Sequence, residues 1–236
     1  MEALTQLIAA RRAGTGVEDG PLSPRVTDLR VRWEGLPDWW REGGNLLLFG
    51  EGSHMPEFKV DAVRGPPRRS VVAIGRDSRF LCMTLGQEGA LVAIGDKTIA
   101  PLGALSCYGS STVLVGEGTT FTSWAMLDCR NGGTIVTGPD GMWAHNVSLM
   151  TDDTRAIRDA ATGRRLNTFG GRIVIDRHVW LCERTRVLDG ARIGPDSIVG
   201  LGALVKRCVI PPNSIAVGVP ARVVRSGVTW SRKDAP

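Results

Sequence analysis

The sequence predicts an all-β protein built as a parallel β-helix, and three features of the 236-residue chain lead to that class. Aliphatic side chains recur every six residues in the C-terminal half. Glycine is abundant, at 30 residues, yet no collagen-like G-X-Y period accompanies it. Hydrophobic residues make up 42% of the chain, which is enough for a sizeable core, and no apolar run suggests insertion into a membrane.

The six-residue period begins at Ile175, and a small or β-branched residue follows each aliphatic residue after four positions. The aliphatic set is Ile175, Leu181, Val187, Ile193, Val199 and Val205, and the second set is Val179, Thr185, Ala191, Ser197, Ala203 and Val209. An α-helix advances by about 600° in six residues, so its apolar face would drift, whereas one side of a β-helical coil repeats with this period. We expect the first set inside the coil and the second at its corners.

The same phase returns upstream as glycine-containing pairs that are 20 to 22 residues apart. These pairs are Ile74-Gly75, Ile94-Gly95, Val115-Gly116 and Thr137-Gly138. Three hexads make 18 residues, so the upstream coils are expected to carry extra residues at a corner. The stretch 151–171 is polar and lacks the period, which predicts a loop protruding from the stack.

These patterns divide the chain into an N-terminal cap region (1–68), a β-helix (69–210) and a C-terminal tail (211–236). The cap region is expected to contain a helix over Glu2–Arg12 and a strand over Asn45–Phe49. An open β-helix end exposes apolar surface and unpaired strand edges. We therefore expect three tryptophans to cover it: Trp33, Trp39 and Trp40.

Charge and cysteine content exclude several classes of function. The net charge is +5, and its late basic excess shows no alternation of aromatic and basic residues typical of single-strand binding, so no nucleic-acid partner is expected. Five widely spaced cysteines without a CxxC pair argue against a disulfide framework and against a zinc ribbon. They suit a reducing, cytoplasmic location. No metal site is predicted, since no clustered Cys/His spacing is present.

The run from Ile173 to Arg225, with its HVW motif (His178–Trp180), resembles the C-terminal coils of hexapeptide-repeat acyltransferases. The stretch TGRRLN (162–167) makes the polysaccharide and capsule O-acetyltransferases the most similar branch. This resemblance implies a left-handed coil, an exception to the usual right-handed crossover. It also implies a homotrimer with clefts between its subunits, and transfer of an acetyl group from acetyl-CoA to a sugar-type hydroxyl.

In that family a histidine in the protruding segment is the general base for the acceptor hydroxyl. The matching stretch here is Thr151–Ile157, and Arg155 stands at the histidine position. Arginine stays protonated near neutral pH, so Arg155 cannot take this role. Four alternatives remain open: His145, His178, a carboxylate (Asp153 or Asp152), or a base from a partner subunit.

The resemblance also assigns candidate residues for binding the CoA thioester. Trp180 matches the tryptophan that borders the acceptor and pantetheine channel. Gly202 and Ala203 match the edge along which the pantetheine arm lies, and Lys206 and Arg222 match positions that hold the CoA phosphates.

Two functions follow as hypotheses. The first is acetyl-CoA-dependent O-acetyl transfer to a sugar in polysaccharide or glycoconjugate biosynthesis. The second is a catalytically silent binding or scaffold protein with the same fold, and it is motivated by Arg155.

Overall fold

The computed structural model describes Gln6 and residues 28–233, and its strands stack as a parallel β-helix. The all-β class predicted from the hexads is confirmed. The expected helix Glu2–Arg12 lies outside the described residues, apart from Gln6, which is helical and exposed. In the part of the chain that is described, no helix has the length and apolar character needed to span a membrane.

Twenty-two strands and one short helix, α1 (Asp38–Glu42), make up this part of the chain. In chain order the strands are β1 (Arg30–Val31), β2 (Leu46–Phe49), β3 (Glu57–Val60), β4 (Val71–Ile74), β5 (Arg79–Gly86), β6 (Leu91–Ile94), β7 (Ile99–Tyr108), β8 (Thr112–Val115), β9 (Thr120–Phe121), β10 (Ala125–Cys129), β11 (Thr134–Thr137), β12 (Met142–Trp143), β13 (Ser148–Met150), β14 (Arg172–Ile175), β15 (Trp180–Leu181), β16 (Arg186–Leu188), β17 (Arg192–Ile193), β18 (Ile198–Val199), β19 (Leu204–Val205), β20 (Val209–Ile210), β21 (Ser214–Val217) and β22 (Arg222–Ser226).

Each coil visits three faces in turn, which we name A, B and C. Face A contains β2, β4, β6, β8, β11, β14, β17 and β20, and β1 closes it as an antiparallel strand. Face B contains β9, β12, β15, β18, β21 and the antiparallel β22, while face C contains β3, β10, β13, β16 and β19. The long strands β5 and β7 run through faces B and C. We call the three lines of turns between the faces the AB, BC and CA edges.

The interior follows the predicted phase. Ile175 pairs with Ile193, Leu181 with Val199 and Val187 with Val205, and all six side chains are buried. The upstream pairs also align, since Ile74, Ile94, Val115 and Thr137 occupy one continuous ladder on face A that leads into Ile175. On each face, the same interior position is therefore occupied by a buried side chain in successive coils. These side chains stack into a continuous core.

One predicted corner residue, Val209, is exposed and does not lie in the interior corner. Ile193 pairs with Ile210, so this coil has 17 residues where the preceding one, from Ile175 to Ile193, has 18. The missing residue shifts the phase by one position. The period therefore holds through Val205 and fails only at its last predicted position, Val209.

The N-terminal end of the stack is covered mainly by Trp40, which is fully buried on α1. Its ring lies 4.6 Å from that of Phe58, and Trp39 packs against the same core. Trp33 does not share this role, because it is 39% exposed and lies beneath the guanidinium of Arg41. The strand expected at Asn45–Phe49 is present as β2.

The parallel ladders begin inside the region predicted as a cap. β2 pairs with β4 on face A, and β3 pairs with β5 on face C, both in parallel register. Most of a coil therefore precedes residue 69. The division of the chain at residues 68 and 210 stays a prediction.

After β22 the chain turns back along the AB edge as residues 227–233, which we call the strap. The amide of Val228 donates to the carbonyl of Asn213 at 3.0 Å. Trp230 stacks on His178, with ring centroids 4.0 Å apart and planes 4° apart. Arg232 then donates to four acceptors on earlier turns, namely Asp140 Oδ1, Thr120 Oγ1 and the carbonyls of Gly118 and Gly141.

Asp140 is the charged centre of the strap contact. Burial raises its pKa, but hydrogen bonds from Arg232 and His178 and their positive charges outweigh burial, so the pKa lies below its ordinary value. The folded state therefore favours the carboxylate form. The interaction stabilises the fold above the ordinary carboxyl pKa and weakens as pH falls through the lowered value.

Replacing a core residue should cost far more stability than replacing its exposed neighbour on the same strand. Leu127 is fully buried, so we expect Leu127→Ala to lower the free energy of unfolding by about 2–5 kcal/mol. Met126, which is 41% exposed, is the control, and Met126→Ala should change that free energy by less than about 0.5 kcal/mol. Chemical denaturation measures both, and equal losses would contradict the assigned register.

Asp140→Asn should destabilise the protein in a pH-dependent way. We expect the difference in free energy of unfolding between wild type and variant to be constant at neutral pH. The difference should shrink as pH falls below 3.8, the ordinary carboxyl pKa. The wild-type side chain then becomes protonated and is neutral, like the asparagine of the variant. Denaturation at a series of pH values measures it, and a pH-independent difference would contradict the role given to the carboxylate.

Candidate functional site

The loop 151–171 leaves the stack at the CA edge, between β13 and β14, and Asp152 holds both of its ends. The buried carboxylate accepts hydrogen bonds from the amides of Thr154 and Gly170, each at 3.1 Å, and from Asn131 Nδ2 at 2.8 Å. Arg165 lies 3.6 Å away. These contacts make Asp152 a structural anchor of the loop.

A cleft of about 430 Å³ separates this loop from face C. Its walls are Met150, Thr151, Asp152, Asp153, Thr154 and Thr168 on the loop side and Arg186, Leu188, Asp189, Leu204, Lys206 and Arg207 on the coil side. Thr168 Oγ1 joins the two sides, because it donates to Asp189 at 2.6 Å and accepts from Arg207 at 2.7 Å. Thr168 therefore ties the loop to the coil across the cleft.

Two cations of the cleft have no counter-ion among the described residues. Arg207 is engaged with Thr168 and Asp189. The side chains of Lys206 and Arg186 are exposed and make no hydrogen bond or ion pair within residues 28–233. They are therefore available to an anionic ligand.

Asp153 lies in the cleft, but its carboxylate is exposed and receives one hydrogen bond, from Asn167 at 3.2 Å. Carboxylates that act as general bases are usually buried, whereas Asp153 is exposed. Arg155, at the position of the family's histidine, is exposed and donates to the carbonyl of Thr154.

His145 lies on the BC edge, in the turn between β12 and β13. Its carbonyl accepts from the amide of Arg184 in the next coil, and its half-buried imidazole makes no hydrogen bond to the described residues. Trp124, which the sequence analysis missed, lies on the same edge one coil earlier and is 58% exposed. The imidazole is therefore accessible and has both nitrogens available.

Gly202 lies on the BC edge as well, two coils after His145, and adjoins Ala203. Gly202 has a φ of +68°, and no atom lies within 4 Å of the position that a Cβ would occupy. The amide of Gly202 donates to Glu183, and the amide of Ala203 donates to Gly200. Ala203 is buried. The edge is open to a ligand, but these two amides are already used within the coil.

His178 lies on the AB edge, and both of its ring nitrogens are engaged. Nδ1 is 2.6 Å from Asp140 Oδ2, and Nε2 is 3.0 Å from the carbonyl oxygen of Trp230. Neither ring nitrogen is therefore without a hydrogen-bond partner. A ring held in this way has no free nitrogen with which to accept a proton.

Trp180 and Arg222 complete the predicted set. Trp180 is half-buried on face B, with its ring 6.1 Å from that of Trp230. Arg222 is exposed at the start of β22, and the preceding residue, Ala221, donates its amide to Leu204 on face C. This contact brings Arg222 to the end of the stack where Lys206 lies.

The predicted residues therefore lie along three different edges of one chain. Asp153 and Lys206 share the CA cleft, His145 and Gly202 share the BC edge, and His178 lies on the AB edge. Sequence reasoning missed Arg186 and Arg207 in the cleft. Within residues 28–233, no group of three Asp, Glu, His or Cys side chains is arranged to hold a metal ion.

Comparison with known proteins gives relatives by sequence over part of the chain. No protein-family model matches. The chain is 32% identical over 118 residues to the galactoside O-acetyltransferase of Escherichia coli (strain K12), a match that covers 50% of this chain and 55% of the relative. A galactoside O-acetyltransferase of Lactococcus lactis subsp. lactis (strain IL1403) is 34% identical over 39% of this chain and 42% of its own length. The chain thus spans about half the length of the curated relatives it matches.

Solved structures extend the likeness to most of the fold. The polySia-specific acetyltransferase NeuO superposes with a TM-score of 0.73 at 23% identity, over 82% of this chain and 81% of that chain. The left-handed parallel β-helix expected from the resemblance is thereby confirmed. The relatives found by sequence are O-acetyltransferases of the hexapeptide-repeat type, as the hexads and the HVW motif indicated.

Proposed function

We propose that this protein is an acetyl-CoA-dependent O-acetyltransferase that acts on a sugar hydroxyl in polysaccharide or glycoconjugate biosynthesis. The observation that carries the proposal is the unengaged imidazole of His145 on an open edge of the coil. The fold and the sequence relatives named galactoside O-acetyltransferase support it. We expect the protein to act in the cytoplasm, in keeping with its five free cysteines.

The reaction requires a base near the acceptor. The sugar oxygen attacks the thioester carbonyl carbon, the base takes the hydroxyl proton, and the carbon–sulfur bond breaks to release CoA as the thiol once it regains a proton. We assign the base to His145, since the nitrogens of His178 are both engaged and Asp153 is exposed. The exposed indole of Trp124 beside it offers an apolar face for a sugar ring.

The donor is expected to bind along face C and its two edges. Lys206 and Arg186 have no counter-ion within residues 28–233 and suit the phosphates of CoA, and Arg222 lies at the same end of face C. The open space at Gly202 leaves room for the pantetheine arm. Trp180 is proposed to border the channel near the thioester.

A homotrimer accounts for the separation of these groups. The CA cleft and the BC edge lie on opposite sides of face C in one chain. In a three-fold assembly the CA edge of one subunit would face the BC edge of the next. The loop 151–171 of one subunit would then close over His145 of its neighbour. The site is thus proposed to be complete only between two copies.

Arg155 favours a second candidate, a catalytically silent binding or scaffold protein. It occupies the loop position at which the resemblance expects the base. Calorimetry with acetyl-CoA separates the two functions, because a scaffold of this kind is expected to bind none. Binding without turnover on any sugar would instead point to a different acceptor.

Replacing the proposed base should remove activity and leave the fold intact. We expect His145→Ala to lower kcat about 10²–10⁴-fold, the usual loss when a general base is removed. CoA release with galactoside acceptors measures it. His54→Ala is the matched control, because His54 is exposed in the turn between β2 and β3. Equal activity of His145→Ala and His54→Ala would eliminate His145 as the base.

Removing the unpaired lysine should weaken donor binding and spare the chemical step. We expect Lys206→Ala to raise the dissociation constant of acetyl-CoA about three- to tenfold at low salt, and the difference to narrow at high salt. Lys97→Ala, an exposed lysine on the AB edge, is the control. Calorimetry at two ionic strengths measures both variants. An unchanged affinity in Lys206→Ala would show that the phosphates bind elsewhere.

A further inference from the structure

The strap, residues 227–233, makes more specific contacts than simple packing requires. Trp230 is 9% exposed, and its indole Nε1 donates to the carbonyl of His178 at 2.9 Å. The carbonyl of Trp230 in turn lies 3.0 Å from His178 Nε2. Two hydrogen bonds and a stacked ring pair therefore fix one tryptophan against one histidine.

Arg232 fixes the other end of the strap. Its Nε donates to Asp140 Oδ1 and its Nη1 donates to Thr120 Oγ1, both at 2.8 Å. Nη2 donates to the carbonyls of Gly141 and Gly118, at 2.9 and 3.3 Å. Asp140 also accepts from His178, so the guanidinium and the imidazole share one carboxylate. The contacts of Arg232 and Trp230 thus form one network.

This network ends beside Trp180. The rings of Trp230 and Trp180 lie 6.1 Å apart at an angle of 51°, a tilted contact within the range of favourable aromatic pairs. Trp180 is half-buried, and its interior neighbour Leu181 fixes only its backbone through β15. Among the aromatic rings of the described residues, Trp230 is the one in contact with Trp180.

We propose that Trp230 is a positioning residue for Trp180, and that the strap sets the orientation of the indole that borders the donor channel. The inference rests on the proposed function for the role of Trp180, but the contact between the rings does not. His178 transmits the position, because it is stacked on Trp230 and hydrogen-bonded to Asp140. A misplaced channel wall weakens the binding or the alignment of a ligand without touching the reacting atoms.

The orientation of Trp180 can be tested without any assay of activity. The chain has seven tryptophans, so 5-fluorotryptophan labelling gives seven fluorine resonances, and Trp180→Phe assigns the relevant one. We expect Trp230→Ala and Arg232→Gln to shift or broaden the Trp180 resonance and to leave unchanged that of Trp40, which is buried at the N-terminal end of the stack. Trp230→Phe, which can still stack, should restore most of the wild-type signal.

Lys233→Gln is the matched control for Arg232→Gln, since it removes the same charge from the next residue, whose side chain is exposed. It should leave every tryptophan resonance in place. An unmoved Trp180 resonance in folded Trp230→Ala would overturn the proposal. Equal movement of the Trp40 resonance would also overturn it, because the strap would then act only on the stability of the whole fold.

Steady-state kinetics provide a second test, because a purely structural role of Trp230 would not change KM for acetyl-CoA in the folded variant. We expect Trp230→Ala to raise KM for acetyl-CoA about tenfold with kcat changed less than about twofold, and Trp230→Phe to recover most of the loss. If the wild type fails to bind acetyl-CoA, the proposed function fails and the fluorine spectra still decide the ring contact. If it binds and both variants match it in KM, the positioning role is overturned.

Discussion

The register between successive coils is the constraint on which the rest of the molecule depends. Side chains alternate in and out along each strand, so a slip of one residue would turn a whole strand's apolar set toward solvent. The ladder from Ile74 through Ile94, Val115 and Thr137 to Ile175 shows that extra residues are accommodated only at edges. Even the 21 residues of the loop 151–171 leave the pairing of Thr137 with Ile175 in phase.

This constraint also decides where chemistry can occur. The interior is filled with aliphatic and aromatic side chains, and the turns along the edges are the places where insertions and polar groups are tolerated. Each of the three edges carries a different set of groups. Cations and the loop lie at the CA edge, the imidazole of His145, which has no partner among the described residues, lies at the BC edge, and the hydrogen-bonded imidazole of His178 lies at the AB edge. A single copy therefore presents the candidate residues on separate surfaces, which is why the proposed function places the site between two copies.

The hexads made the fold, the core residues and the position of the loop predictable, because burial in a β-helix is repeated at a fixed interval. The end of the period was misjudged at Val209, because a one-residue deletion is invisible without the pairing of Ile193 with Ile210. The role of His178 was not predictable either, since Asp140 and Trp230 lie 38 and 52 residues away and no period connects them. Sequence spacing identified which residues face outward, but not which of them already have partners.

The strap limits local unfolding in the C-terminal half of the stack. A solenoid with contacts only between neighbouring coils is free to fray from its last coil inward, one repeat at a time. Here the strap runs back from the turn at Asn213 to the turns at Asp140 and Gly118, across the coils that contain His145, Trp180 and Lys206. Fraying of the last coil is thereby coupled to the middle of the stack, so the candidate site lies within a single cooperative unit of hydrogen exchange.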